Sequence, residues 1–556
     1  MSDRFATHAV TNQPPPLTDV NLFASDVALA DAIAREGAAS AARTLNGFGL
    51  TAGSEEAQEL AYLANMHPPK LETHDRFGRR LDVVTYHPAY HDLMRLSCAE
   101  GIANSTWTHL GPAGGSPDKA AHVVRAAHLY LATQMEPGHC CPLTMTNAAV
   151  PVLMKNETLA QDWLPLVLSR TYDPRFEPAA DKSGAMIGMA MTEKQGGTDV
   201  RANTTSATRN GDGLYSITGH KWFMSAPMSD AFLVLAQAKG GLSLFLMPRF
   251  LPDGKVNGLQ FQRLKDKLGN RSNASSEVEF HDASGWLIGE EGRGVAAVVD
   301  MLTYCRLDCA ISSAALMRSA VAQAVHHAEH RFAGGRALVG EPLMQQVLAD
   351  LTLDVEAAVA LSFRLARSFD RARDPRAAAW RRLMTPVTKY WVTKIASPLI
   401  CEAMECLGGN GYVEDWPMAR LYREAPVNAI WEGSGNVMAL DVLRVLQKEP
   451  DVVEYVTEEL RGVCAGDAAL AVAFERLQTV LYEPRLLDVR ARQLVEGLAK
   501  LAAAAILRAQ GNAAVADAFI ATRIDGAARQ TYGQGLDRSD MKAILARATP
   551  NRPLPG

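Results

Sequence analysis

The spacing of apolar residues changes twice along this chain, near residue 185 and again near Gly294, and this double change limits the fold more than any other feature. Residues 20 to 180 carry apolar positions at helical spacing, as in Leu29, Ile33 and Ala34 or Val123, Ala126, Ala127, Leu129 and Leu131. His67-Pro68-Pro69 and Gly111-Pro112-Ala113-Gly114-Gly115 punctuate them as turns. From about 185 to 290 short β-prone runs replace this pattern: Ser216 to Phe223, Ala231 to Leu235 and Leu242 to Leu246, each bounded by Gly, Asp or Pro. Helical spacing then returns at 297 to 332, 342 to 373, 376 to 406 and 433 to 447. The predicted class is mainly α with a central β domain.

At 556 residues the chain is too long for one hydrophobic core. Four sections are expected: a helical domain at 1–184, a β domain at 185–290, a second helical domain at 291–447, and a C-terminal helical extension at 448–556 after Lys448-Glu449-Pro450. The ends, Thr11 to Leu17 and Ala548 to Gly556, are expected to be disordered. A formal charge of -5 makes no general case for nucleic acid as a partner, so any basic surface must be local. No run of eighteen uncharged apolar residues occurs, and Met1 to Pro16 lacks a secretory pattern, so no membrane association and a cytoplasmic location are expected. The eight cysteines are spread thinly and the one adjacent pair, Cys140-Cys141, has neither zinc nor redox spacing, so free, mostly buried thiols are expected.

Three segments carry chemistry. Ile430-Trp431-Glu432-Gly433-Ser434-Gly435-Asn436 sets one carboxylate between bulky apolar residues and a Gly-Ser-Gly segment, where loss of water would raise its pKa and make it a base. Met191-Thr192-Glu193-Lys194-Gln195-Gly196-Gly197-Thr198-Asp199 and Cys406-Leu407-Gly408-Gly409-Asn410-Gly411-Tyr412 are glycine turns that admit close approach to the backbone. Neither Gly409-Asn410-Gly411 nor Gly433-Ser434-Gly435 has the third glycine or the βαβ setting of a dinucleotide fingerprint, which argues against a Rossmann NAD site.

Together with Asn12-Gln13-Pro14, Gly188-Met189-Ala190-Met191, Asp266 to Ala274 and Leu421-Tyr422-Arg423-Glu424, these segments resemble the flavin-dependent acyl-CoA dehydrogenase superfamily, and within it the AidB alkylation-response branch. The resemblance implies an acyl-CoA dehydrogenase-like fold plus a C-terminal extension, assembled as a homotetramer with FAD. It assigns the flavin to Met189, Met191, Thr192, Gly196, Gly197, Thr198, Phe223, Met224 and Ser225, and to Ile430, Trp431, Gly433, Ser434, Gly435 and Asn436 around the carboxylate. Arg331, Gly408 and Gly409 are implied at the pyrophosphate and adenine end, reached across subunits. Glu432 is implied as the base that takes the α-proton of an acyl-CoA while hydride passes to flavin. The family's other base position, just before an arginine, is Cys305 before Arg306. The branch also implies double-stranded DNA as a partner in protection against alkylation damage, with Arg444, Arg529 and Arg538 as candidate contacts. Residues 520 to 556 hold six Lys and Arg against three Asp in support of that surface. The alternative is a metabolic FAD-dependent acyl-CoA dehydrogenase without a DNA role, and a flavin-containing structural DNA-binding module is a third possibility.

Overall fold

A computed structural model of the chain describes residues 7–550 apart from 112, 113, 115, 117, 212, 482–486, 527–530, 535 and 537. The first helices are α1 (Val27–Arg35), α2 (Ala42–Ala52), α3 (Glu55–Met66), α4 (Pro88–Ala99), α5 (Ala121–Met135), α6 (Cys140–Leu153) and α7 (Glu157–Val167). Asp26, Ser54 and Asn156 cap α1, α3 and α7, each accepting a hydrogen bond from a backbone N–H of the first turn.

The helical spacing breaks at one place the sequence reading passed over. An antiparallel hairpin, β1 (Lys70–His74) and β2 (Arg80–Thr85), lies between α3 and α4. Its chemistry points to the β domain: Asp82 Oδ1 accepts from the Phe261 N–H at 2.9 Å, and the buried Arg249 donates to the Asp82 carbonyl at 2.7 Å.

The β domain comprises β3 (Ile187–Ala190), β4 (Ser206–Arg209), β5 (Leu214–Ser225), β6 (Ala231–Ala238), β7 (Gly241–Pro248), β8 (Leu259–Leu264) and β9 (Ser275–Ile288). Neighbours run β3-β6-β4-β5-β9-β7, β8 pairs with β9, and β6 pairs with β7. The last pairing folds the sheet back on itself around Phe232, Val234, Phe245, Phe261 and Phe280. Strand β6 is buried almost throughout, which explains why Ala231 to Leu235 reads as a continuous apolar run instead of alternating.

Helix α8 (Gly294–His330) spans 37 residues, about 55 Å at 1.5 Å per residue. It packs against α5, α6, α9 (Pro342–Asp370) and α10 (Pro375–Glu405), and most of its length is accordingly buried. Arg125 of α5 is bonded to Asp308 of α8 through both terminal nitrogens, at 2.5 and 2.9 Å, and both residues are buried. The short hairpin β10 (Phe332–Ala333) and β11 (Arg336–Ala337) follows α8. Helices α11 (Gly409–Tyr412), α12 (Pro417–Asn428) and α13 (Gly435–Lys448) carry the glycine turn and the loop that holds Glu432.

The extension forms α14 (Pro450–Cys464), α15 (Ala468–Leu481), α16 (Leu487–Gln510), α17 (Ala513–Phe519) and α18 (Arg538–Ala548). Its apolar residues, among them Leu494, Leu498, Phe519 and Ile544, join the same core as α8, α9 and α10. Arg523 is paired with Asp350 and Asp354 of α9, and Arg547 with Glu356 of the same helix and Asp31 of α1.

Thr11 to Leu17 departs from the expected disorder. Asn12 exchanges hydrogen bonds with Phe332 and accepts one from Arg331, the Pro15 carbonyl accepts from His326 at 2.9 Å, and the Leu17 carbonyl accepts from Gln58 at 2.8 Å. A polar, proline-rich segment buries too little apolar surface to announce that it is held, since backbone hydrogen bonds leave no sequence pattern. At the other end Ala548 closes α18, and residues 551–556 lie outside those described. Seven of the eight cysteines are buried and all are free; Cys401 is exposed. No described helix is long and apolar enough to cross a membrane.

Candidate functional site

The Met191 to Thr198 segment leaves β3 and is shaped from within by a residue the sequence reading did not single out. Glu193 has no exposed side-chain surface, and Lys221, equally enclosed, donates to its Oε1 at 2.8 Å. Oε2 accepts from the Thr204 N–H at 2.7 Å and Gln195 Nε2 at 2.7 Å, and Oε1 from the Thr205 N–H at 3.1 Å. Burial works to raise the Glu193 pKa, but the Lys221 ammonium and these N–H donors override it and hold the carboxyl well below the usual range. The enclosed anion thus gathers both ends of the loop. The signal in the sequence was one acid inside a Thr/Gly segment and one lysine inside a β-prone run. Their partnership spans 28 positions and cannot be read locally.

Around this loop Met189, Met191 and Thr192 are half-buried, Gly196, Gly197 and Thr198 are exposed, and Trp222 N–H donates to the Thr192 carbonyl at 2.8 Å. Met224 is buried, Ser225 shares a hydrogen bond with Ser275 at 3.0 Å, and Phe223 is 48% exposed, a large ring left on the surface beside the loop.

Glu432 stands between α12 and α13 with φ at 58°, a left-handed conformation that costs a non-glycine residue about 1–3 kcal/mol. Two cations hold the turn. Arg306 Nε donates to the Glu432 carbonyl at 3.0 Å and is itself paired with Asp441, while Lys389 donates to the Gly433 carbonyl at 2.7 Å. Gly433 has φ at 99°, and a Cβ there would meet Met438 Cε at 2.6 Å, so glycine is required. Trp431 donates to Asn428 Oδ1 at 3.0 Å and packs in one apolar cluster with Met189, Met191, Cys141, Met301 and Cys305. The β3 segment and the carboxylate loop thus border one apolar cluster. Ile430 does not wall in the carboxylate: it is 65% exposed. Ser434 and Asn436 are exposed and Gly435 is half-buried.

Burial raises the Glu432 pKa to about 7, with Lys389 and Arg306 opposing it. Cys141, Cys305 and Cys309 lie within electrostatic reach of the carboxylate, and burial pushes each thiol up, Cys141 and Cys309 to about 12. They are neutral at physiological pH, so Cys305 supplies no base at the alternative position. Lys389 and Cys309 were missed from sequence; each is one polar or sulfur-bearing position in a long apolar helix, a pattern that equally describes ordinary core.

A carboxylate poised in this way predicts a pH profile. A base must be ionised, so any turnover in which Glu432 takes a proton should rise with pH through an apparent pKa near 7. The same raised pKa has the opposite effect on stability. Because the folded value exceeds the ordinary carboxyl value of 4.5, the contribution of the protonated form is complete below that value and is lost as pH rises through about 7. Rate and thermal midpoint measured from pH 5 to 9 should slope in opposite directions.

Arg331, Gly408 and Gly409 form a second group. Asn12 binds Arg331 and Phe332, and Gln13 receives Asn410 Nδ2 at 3.2 Å, so the N-terminal segment straps the end of α8 to the glycine turn. Gly408 has φ at 58°, and a Cβ on Gly408 or Gly409 would meet nothing within 4 Å. Among the described residues no hydrogen bond or ion pair joins this group to the Glu432 loop.

The arginines named for DNA fare differently. Arg444 is exposed on α13. Arg529 lies outside the described residues, and of Arg538 only its place at the start of α18 is described. The expected basic excess of the tail is smaller than its composition implies, because Arg523 and Arg547 are turned inward to acids.

Three family models match successive stretches of the sequence. The acyl-CoA dehydrogenase middle domain matches residues 188–283, the acyl-CoA dehydrogenase C-terminal domain matches 292–447, and the adaptive response protein AidB N-terminal domain matches 12–174. The chain belongs to the acyl-CoA dehydrogenase family, whose members are FAD-dependent oxidoreductases acting on CH–CH groups. Within it the chain groups with AidB: it is 46% identical over 98% of its length and 98% of the relative's to the Escherichia coli protein named "Putative acyl-CoA dehydrogenase AidB". Acyl-CoA dehydrogenase family member 11 of Caenorhabditis elegans is 31% identical over 79% of this chain and 73% of that one. The crystal structure of C. elegans ACDH-11 in complex with C11-CoA superposes with a TM-score of 0.84 at 27% identity, covering 100% of this chain and 95% of that chain.

Proposed function

We propose that this protein dehydrogenates an acyl-CoA, or a related thioester, with Glu432 as the base that removes the α-proton. The observation that carries the proposal is the Glu432 carboxyl, raised by burial to about 7 and held in a left-handed turn by Arg306 and Lys389. The raised pKa gives the base enough strength for a proton α to a thioester while leaving it ionised in part near neutrality. The apolar cluster of Trp431, Met189, Met191 and Met301 keeps water from the reacting carbon. The C11-CoA bound to the C. elegans relative supports an acyl-CoA as ligand.

The residues fit FAD. The exposed ring of Phe223 offers a flat apolar surface, Thr192 and Ser225 offer hydroxyls, and Gly196 leaves open space where a Cβ would stand. When bound, FAD supplies the hydride acceptor. Arg331 and the Gly408–Gly409 turn hold the adenine end of a neighbouring protomer's cofactor in a homotetramer. In domain terms, 1–184 and 291–447 are the flanking helical domains, 185–290 the β domain and 448–556 the extension. Dilution should then release FAD as the assembly dissociates; size-exclusion chromatography with absorbance at the flavin band checks this, and a monomer fully loaded with FAD would overturn the shared site.

Its proposed setting is cytoplasmic protection of double-stranded DNA against alkylation, supported by the match to an adaptive response protein's N-terminal domain. Arg444 and Arg538, with Arg529, are the proposed phosphate contacts. Electrostatic binding of this kind loses affinity with a slope of about -0.9 per phosphate contacted in log–log salt plots. Charge reversal at Arg444 should flatten that slope with FAD content unchanged. The protein, given a panel of acyl-CoAs under anaerobic conditions, should bleach its flavin. Bleaching with no DNA affinity at low salt would favour the metabolic dehydrogenase, and DNA binding without bleaching would make Glu432 structural.

A further inference from the structure

The last turn of α8 reads His326-His327-Ala328-Glu329-His330. Positions i, i+3 and i+4 share one helix face. Here they bring two ring nitrogens and one carboxyl oxygen within 4.8 Å of one another. His-x-x-Glu-His is the order in which one class of zinc enzymes presents two histidines and a glutamate from a single helix. The proposed dehydrogenation makes no use of it.

The two imidazoles are already oriented as ligands are. His326 Nε2 donates to the Pro15 carbonyl at 2.9 Å, and His330 Nδ1 donates to the His326 carbonyl at 2.9 Å. A carbonyl only accepts, so each ring is fixed with its proton on that nitrogen and its lone pair on the other, His326 Nδ1 and His330 Nε2. His326 is 6% exposed, and its Nδ1 is buried with no hydrogen-bond partner. A buried acceptor with nothing to accept is costly, and a metal ion removes that cost. Arg331, the nearest cation in sequence, donates to the Asn12 carbonyl.

We propose that His326, Glu329 and His330 form a binding site for a divalent transition metal of the zinc class, independent of the Glu432 site. Ligand atoms around such an ion stand about 3.4 Å apart for bonds of about 2.1 Å, so the three atoms draw together from within 4.8 Å, Glu329 by side-chain rotation. Three protein ligands leave a fourth position for water. Because the Pro15 carbonyl fixes His326, the ion also locks the N-terminal strap to α8.

The test uses untagged, FAD-loaded full-length protein, stripped with a chelator and titrated calorimetrically with Zn²⁺ alone, then with Co²⁺ followed by its visible absorption. One ion per chain with a raised thermal midpoint is expected. Glu329→Gln and His330→Ala should each weaken binding at least about tenfold, the effect of losing one ligand or its support. His281→Ala, at an exposed histidine on β9, should leave it unchanged, and the flavin spectrum verifies folding of every variant. Failure of the stripped wild type to bind either ion, or equal binding by both ligand variants, would overturn the site.

Discussion

Glu432→Gln should retain FAD and lower acyl-CoA dehydrogenation by about 10²- to 10⁴-fold, the usual contribution of a positioned general base. The amide keeps the shape of the side chain, and the backbone contacts that hold the turn come from carbonyls the substitution leaves intact: Arg306 to Glu432 and Lys389 to Gly433. The pH dependence near 7 should vanish with the carboxylate. Single-turnover flavin bleaching separates the chemical step from product release, and an unchanged rate would place the base elsewhere.

The second large effect is expected at Lys221. Lys221→Met leaves the Glu193 carboxylate enclosed with no cation, and breaking a buried pair from one side costs about 3–5 kcal/mol. The loss should fall on the loop Glu193 organises, so FAD retention should decline along with the urea midpoint. The double variant Glu193→Gln, Lys221→Met should recover much of the stability, because it removes both charges together. If the single variant proves as stable as wild type, the pair does not hold the loop.

How much of this was legible in the sequence differed by scale. The helical, β and helical order followed from apolar spacing, and strands β5, β6 and β7 grew from the runs at 216–223, 231–235 and 242–246. The β1–β2 hairpin was missed because Lys-Leu-Glu-Thr-His buries little on either face, and its attachment, through bonds to Phe261 and Arg249 and through Val84 in the β-domain core, joins residues far apart in sequence. At the site, Glu432 was visible because a carboxylate between bulky apolar residues and glycines is a local oddity. The groups that hold its turn and the β3 loop were not. Lys389 lies 43 positions away in sequence terms and touches the loop through a neighbour's carbonyl, while Glu193 and Lys221 find each other only through the sheet. The tail arginines misled in the opposite direction, since composition counts charges and cannot see which are already neutralised.

Those inward arginines bear on how the extension came to be part of the molecule. Arg523 and Arg547 neutralise Asp350, Asp354 and Glu356, three acids within two turns of a helix that belongs to the preceding section. A chain ending after Lys448 would keep those acids in α9 and lose their guanidinium partners, a state that water alone would have to relieve. The terminal helices are thus no detachable appendix: shortening this protein, by a protease or by a designer, calls for rewriting α9 at the same time.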